Sequence, residues 1–238
     1  MNKQQDFTYG YPQFWFNTRI NMMKILLDRA MKECKKKKLT VLSIGPGTGN
    51  EIYLARNYGK LTVLDLNQNV LDRVPNDLVD AKICSDVTNL PFKNSSFDIV
   101  MAFDVLEHVK DDNIAVLQIN RVLKKGGIFI GSVPSYQRLF GSHDKYWGHY
   151  RRYENKEIKE LLSCFKNAKI EYWNSLLFIP ISIFRLLQKN SKANAHDKDP
   201  IMPIDILLRT ILEFENYTIK KGHSYKHGLT TIWKATKA

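Results

Sequence analysis

The stretch Val41-Leu42-Ser43-Ile44-Gly45-Pro46-Gly47-Thr48-Gly49 decides the fold. Leu39 to Ile44 is a short apolar run, the pattern of a buried strand. Three alternate glycines follow, and a helix is predicted from Glu51 to Tyr58. Glycine lets the backbone turn tightly and leaves no Cβ where a ligand would approach. Leu61 to Leu66 is a second apolar strand with Asp65 near its end. A carboxylate in that position accepts hydrogen bonds from both hydroxyls of a ribose.

Outward from this pair, helices and strands alternate. Phe14 to Cys34 carries apolar residues at helical spacing (Phe16, Ile20, Met23, Leu26, Leu27, Ala30), and Asn67 to Val74 is a short helix stopped by Pro75. Ala81 to Ser85 and Phe97 to Phe103 are the third and fourth strands. Asp111 to Leu123 is a helix, with Lys124-Lys125-Gly126-Gly127 as its basic, glycine-terminated stop before a fifth strand, Ile128 to Val133. Glu154 to Phe165 is helical and Ala168 to Trp173 is a sixth strand. Leu176 to Leu187 is an apolar run broken by Pro180, Ile204 to Phe214 is another apolar helix, and Leu229 to Ala235 is a closing strand. The alternation predicts one α/β, Rossmann-like domain over residues 1–238. Its seven strands are mostly parallel with the last antiparallel, helices cover both faces, and a helical lid spans 176–216.

Two ligand classes use a glycine loop followed by an acid. Dinucleotide enzymes favour GxGxxG/A, with a pyrophosphate on the helix N-terminus. Here the sixth position of that pattern is Asn50, and the spacing is GxGxG. That resembles motif I of the class I S-adenosylmethionine-dependent methyltransferases. Further segments resemble the same family in the same order: Ser85-Asp86-Val87 with Leu90-Pro91-Phe92 and Ser96-Phe97-Asp98-Ile99-Val100, then Leu106-Glu107-His108-Val109, then Leu123-Lys124-Lys125-Gly126-Gly127. The resemblance covers residues 39–133. It implies a small-molecule methyltransferase with S-adenosylmethionine as cofactor and S-adenosylhomocysteine as product. It also implies a cofactor pocket lined by Gly45, Gly47, Gly49, Asp65, Leu66, Asp86, Val87 and Phe103, with Asp86 on the adenine amino group and Val87 on the ring. Ser43 departs from the family, which commonly has an acid there to help hold the methionine ammonium. The carbonyls of Gly45 and Phe103 are the substitutes the sequence offers.

Gly141-Ser142-His143-Asp144-Lys145-Tyr146-Trp147-Gly148-His149-Tyr150-Arg151-Arg152-Tyr153 follows strand five, on the edge that faces the ligand crevice in open α/β sheets. It resembles a His-Asp-x-x-x-Gly-His-x-Arg-Arg-Tyr signature in a subset of bacterial methyltransferases associated with cell-surface polysaccharide and glycolipid synthesis. The reaction so implied is O-methylation of a sugar or glycolipid, with N-methylation of an amino sugar as the variant. His108, His143 and His149 are candidate bases, since imidazole titrates near neutral pH. Arg151 and Arg152 suit a phosphate or carboxylate on the acceptor. Asp144 and Tyr153 complete the expected acceptor-binding set. A structural reading stands beside this one. His143 and Asp144 also suit a turn, Arg152 a pair with an acid on the next helix, and His108 a cap. Tyr146, Trp147, Tyr150 and Tyr153 suit either the floor of a sugar site or the core.

The remaining features bound the alternatives. The chain has 238 residues, 44% of them hydrophobic, which suits one domain with a sizeable core. A net charge of +12 permits anionic substrates, a lipid surface or nucleic acid, but a basic balance without a recognition motif is a weak nucleic-acid signal, so a small-molecule acceptor is expected. Lys35 to Lys38 reads as a solvated loop. RNA- or protein-directed methylation stays open, although no RNA-binding module or Asn-Pro-Pro-Tyr motif occurs. An NAD(P)-dependent reductase lacks its Tyr-x-x-x-Lys pair, and a non-catalytic scaffold has only Ser43 in its favour. Cys34, Cys84 and Cys164 lack CxxC spacing, so no metal site and no disulfide is predicted. A reducing cytoplasm is the simple reading, with no signal peptide and no membrane span. The apolar insertion, with Arg185, Lys189, Lys192, Lys220 and Lys221 nearby, suits a lid, a dimer face or peripheral membrane contact. Whether the chain is a monomer or a dimer is left open.

Overall fold

Leu39–Ile44, the run before the glycine loop, is β1, and its residues divide between two cores. A computed structural model describes residues 13–34, 38–47, 49–187, 189 and 202–238. The basic run at 35–37 and most of the loop 188–200 lie outside the described residues. In chain order the elements are α1 (Gln13–Cys34), β1 (Leu39–Ile44), α2 (Asn50–Ala55), β2 (Gly59–Asp65), α3 (Gln68–Arg73), β3 (Ala81–Cys84) and β4 (Phe97–Phe103). They continue with α4 (Asp112–Val122), β5 (Leu123–Pro134), α5 (Ser142–Tyr146), α6 (Asn155–Leu161), β6 (Phe165–Trp173), α7 (Phe178–Leu187), α8 (Met202–Lys220) and β7 (Thr230–Lys237).

The seven strands form one sheet in the order β3-β2-β1-β4-β5-β7-β6. The first five run parallel, and β7 lies antiparallel between β5 and β6. The period of two sets the layers. Leu39 and Val41 join one core with α1, α2 and α8, while Leu42 and Ile44 join the other with α4 and α6. All seven residues of β4 are buried, as a central strand covered on both faces requires. On α1, Met22, Met23, Leu26, Leu27 and Ala30 form the buried stripe. Asn216 of α8 ties that layer together: its amide donates to the Thr18 carbonyl, and its oxygen accepts from the Trp173 indole, both at 2.9 Å. Among the described residues no helix is long and apolar enough to cross a membrane.

The predicted boundaries shift where polar residues behave unexpectedly. Lys124 to Gly127 ends α4 but belongs to β5. The pairing jumps from Phe97 with Leu123 to Ile99 with Ile128, and Gly126 at φ +74° absorbs the bulge. Lys124 is held there by Asp98 at 2.8 Å. β6 starts before Ala168 because Asn167, at φ +51°, makes another bulge in the same strand. Pro180 does not break α7, since it sits in the first turn, where its missing N–H has no helical partner to lose. α8 runs past Phe214 through Glu215, whose buried carboxylate accepts from the Ser175 and Leu176 N–H groups just ahead of α7.

Gly131 marks the tightest point of the sheet. A Cβ there would lie 2.4 Å from the Ala102 carbonyl oxygen and 2.4 Å from Trp233 Cζ2. Gly131→Ala is therefore expected to cost about 2 kcal/mol by overpacking, read as a lower denaturant midpoint with an unchanged slope. An unchanged midpoint would show that β4 and Trp233 can move apart freely.

Candidate functional site

The chain leaves β1 for β2 on one side and returns to β4 on the other. Open α/β sheets bind ligands outside the strand C-termini at that reversal. The register brings four strand ends together there: Ile44 is level with Leu64 and Ala102, and Asp65 with Cys84. Gly45, Asp65, Asp86 and Phe103 follow from those positions along one edge.

The loop after β1 has the geometry only glycine tolerates well. Gly45, Gly47 and Gly49 have φ of +63°, +45° and +75°. A Cβ on Gly45 would come within 2.7 Å of Val105 Cγ2, so the loop closes directly on the turn after β4. Above Gly47 the space is open, with its nearest neighbour at 3.8 Å. Asp65 Oδ1 accepts from Asn67 N at 2.8 Å, and burial raises the carboxyl pKa against the pull of the Asn67 and Leu66 N–H groups. Leu66, next to Asp65, is 71% exposed. Asp86 accepts from the Thr88 N–H and hydroxyl, both at 2.8 Å, and this fixes the turn that buries Val87. Phe103 is buried in the α1 core.

A residue the sequence reading passed over lies beneath this loop. Glu51, in the first turn of α2, is buried. Burial pushes its pKa up to about 7, and nearby Asp104 pushes the same way, while its own N–H, Arg19 and the Ser43 hydroxyl pull it down. Arg19 reaches across from α1 to Asp104 at 2.7 Å. The signal was present in the sequence as a lone acid two residues after Gly49, in the first turn of the next helix. Helical side chains lean toward the N-terminus, which returns Glu51 to the missing acid of Ser43.

The segment 141–153 folds around one buried carboxylate. Asp144 has no exposure and accepts from Gly141 N at 2.9 Å, His149 Nδ1 at 3.0 Å and Arg152 Nε at 2.8 Å. Burial alone would raise its pKa, but His149 and Arg152 outweigh it and hold the carboxyl well below the usual range. The structure thus corrects the acceptor-binding set. Asp144, Arg152 and Tyr153 are buried and committed to the protein, Tyr153 through its hydroxyl to the Leu106 carbonyl at 3.0 Å and Asp112 at 2.7 Å. Arg151 spends its guanidinium on Asp112 and the Lys110 carbonyl. Arg152 pairs with Asp144 rather than with an acid on α6.

The histidines separate. His108 and His149 meet edge to face with centroids 4.6 Å apart, whereas His143 lies against Trp147 at 6.4 Å. The Tyr150 N–H donates to the Glu107 carbonyl at 2.8 Å and clamps the segment onto the turn Leu106–His108. Glu107 itself has no exposure, and burial together with Asp104 raises its pKa well above the ordinary value. Contrary to the expectation that no ligand cluster exists, Glu107, His108 and His149 place ligand atoms within 4.8 Å of one another. His149 lies far along the chain from the adjacent Glu107 and His108, so the sequence gave no ligand spacing to read.

Comparison with known proteins places this architecture. A family model described as a methyltransferase domain matches residues 42–131. An uncharacterized protein of Methanocaldococcus jannaschii is 33% identical over 152 residues, covering 63% of this chain and 64% of that protein. The demethylmenaquinone methyltransferase of Staphylococcus aureus is 28% identical over 138 residues, 52% of this chain and 57% of its own. The chain thus spans less than two thirds of the length of these relatives. The crystal structure of an S-adenosylmethionine-dependent methyltransferase from Archaeoglobus fulgidus superposes with a TM-score of 0.57 at 16% identity, covering 92% of this chain and 94% of that one. The chain therefore has the seven-stranded fold of the class I methyltransferases, and its residues 42–131 match the methyltransferase domain family.

Proposed function

We propose that the protein is an S-adenosylmethionine-dependent methyltransferase that methylates a hydroxyl on a small acceptor, a sugar or glycolipid. The observation that carries the reading is the crevice itself: a glycine loop open above Gly47, flanked along one edge by Asp65 and Asp86 and floored by buried Glu51. That donor set fits the cofactor. Asp65 has acceptor capacity left for ribose hydroxyls, Asp86 for the adenine amino group, and Val87 offers the ring an apolar wall. Glu51 supplies the negative charge that Ser43 lacks for the methionine ammonium. When bound, the cofactor supplies an activated methyl group on a sulfonium.

The protein's own part is alignment and exclusion of water. Asp144, anchored by Arg152, holds the His149 ring through Nδ1, which leaves Nε2 for the side shared with His108. We assign the acceptor oxygen to that side, next to the glycine loop that Val105 touches. His143 is the outlying histidine of the three. The insertion supports a lipid-linked acceptor: on α7, Ile179, Ile183, Phe184 and Leu187 are all exposed. Apolar groups displayed together in this way suit an amphiphilic surface.

Calorimetric titration with S-adenosylmethionine, S-adenosylhomocysteine and NADH tests the cofactor. Saturable binding of the two adenosyl ligands and none of NADH is expected. NADH binding alone would point to a reductase. Asp65→Ala should weaken S-adenosylmethionine binding by ~1.5–3 kcal/mol, the scale for hydrogen bonds to a charged group. Unchanged affinity would remove Asp65 from the ribose. A screen of sugar and glycolipid acceptors then tests the acceptor class.

A further inference from the structure

We propose that Glu107, His108 and His149 form a binding site for a divalent transition-metal ion. Ion binding stands on the geometry of these three side chains. The ion's role in catalysis rests on the methyl-transfer reading above.

The first observation is a buried carboxylate without partners. Glu107 has no exposure, and neither of its carboxylate oxygens has a hydrogen-bond partner. Such groups are rare in native proteins because losing water without a replacement is costly, and a bound ion is one of the few remedies. The neighbouring charges offset this only in part: Arg19 and Arg152 favour the charged carboxylate from a distance, Arg152 is paired with Asp144, and Asp104 adds repulsion.

The second observation is the state of the two imidazoles. A histidine that binds a metal through one nitrogen usually donates its other N–H to a carboxylate or a carbonyl, which fixes the ring. His149 Nδ1 faces Asp144 Oδ1 at 3.0 Å, and the His108 ring meets His149 edge to face with centroids 4.6 Å apart. The His149 ring thus has one nitrogen held by an outer partner and one to offer, with His108 beside it. The three ligand atoms lie within 4.8 Å of one another. A metal about 2.1 Å from each donor needs separations of about 3–4 Å, a closure of roughly 1 Å that side-chain rotation supplies.

The donor set selects the ion. Two imidazoles and one carboxylate suit Zn2+, Mn2+, Fe2+ or Co2+ rather than Ca2+ or Mg2+, which favour all-oxygen shells. Burial grades across the site from enclosed Glu107 through half-buried His149 to exposed His108, so an open coordination position would face the crevice. That is where the acceptor oxygen is assigned. In methyl transfer the oxygen–carbon bond forms as the sulfur–carbon bond breaks, and the hydroxyl proton leaves to solvent. A cation holding that oxygen favours the proton's loss. Asp144 and Arg152 then act as positioning residues, fixing one ligand from behind.

The test is titration of chelator-treated, dialysed protein with Co2+, followed by visible absorption and by calorimetry. One Co2+ per chain is expected, with ligand-field bands of a low-symmetry nitrogen and oxygen site. Glu107→Gln and His108→Ala should each weaken binding at least ~30-fold while S-adenosylmethionine still binds. His108 is exposed, so its variant keeps the test valid if Glu107→Gln fails to fold. Absence of stoichiometric Co2+ binding, or equal binding by wild type and His108→Ala, overturns the site. If Co2+ binds as expected and neither adenosyl ligand does, the metal site stands and the methyltransferase reading falls. Binding of the adenosyl ligands without Co2+ gives the converse.

Discussion

Glu51→Gln is expected to stabilise the protein at pH 8 and to weaken its hold on S-adenosylmethionine. The carboxyl titrates near 4.5 in an unfolded chain and at about 7 in the folded one. Between those values the folded state binds the proton more tightly, so stability falls as pH rises through the window. Below 4.5 both states are protonated and nothing is lost. Above 7 the full penalty applies, roughly 3 kcal/mol for a gap of this size. Glutamine removes the charge and keeps the shape. At pH 8 the variant should therefore melt about 6–12 °C higher, given about 2–4 °C per kcal/mol for a chain of this length. At pH 4.5 the two proteins should melt together. Cofactor affinity at pH 8 should move the other way, down by ~1.5–3 kcal/mol, because a charged hydrogen bond to the ammonium is lost. Opposite shifts in stability and affinity mark a residue kept for binding at the expense of the fold. A loss of stability at pH 8 would show that Glu51 is satisfied inside the protein and would leave the ammonium to the loop carbonyls.

What the sequence discloses here depends on how local the cause is. The glycine loop, the acid after β2 and the alternation of β1 are each written within a few neighbouring residues. Their identity as strand, turn and helix follows from φ limits and the period of two. Bulges at Gly126 and Asn167 are harder, since they depend on which strand lies opposite. The segment 141–153 is more instructive. Its arginines look like groups waiting for an anion, because sequence shows charge and hides partners. Asp144 lies only eight residues before Arg152, yet nothing local says that the chain curls to bury both. Glu107 carries part of the family resemblance in sequence, but its burial without a partner appears only when His149 is folded back beside it. Glu51 is the intermediate case, visible as a lone acid but assignable only once α2 is seen to tilt it toward Ser43.

Arg152→Ala separates the two readings of that segment by the size and kind of its effect. The Asp144–Arg152 pair is almost fully enclosed, with side-chain exposures of 0% and 3%. Removing the arginine leaves a buried carboxylate with only His149 and one backbone N–H. Breaking a buried pair from one side costs about 3–5 kcal/mol, well beyond a surface substitution. The denaturant midpoint should fall accordingly, and it should fall whether or not an acceptor is present. Replacing both partners with apolar or neutral groups, as in Asp144→Asn with Arg152→Met, should restore much of the loss because no charge is stranded. The single variants Asp144→Asn and Arg152→Met, with that double, form a cycle whose coupling should exceed about 1 kcal/mol. An arginine that binds an anionic acceptor behaves differently. Its removal would raise KM for the acceptor, leave the midpoint within about 0.5 kcal/mol, and show no coupling to Asp144. In the structure the guanidinium points at Asp144 Oδ1 and the Ser135 carbonyl, so the first pattern is expected, and the acceptor's charge, if it has one, must be met elsewhere in the crevice.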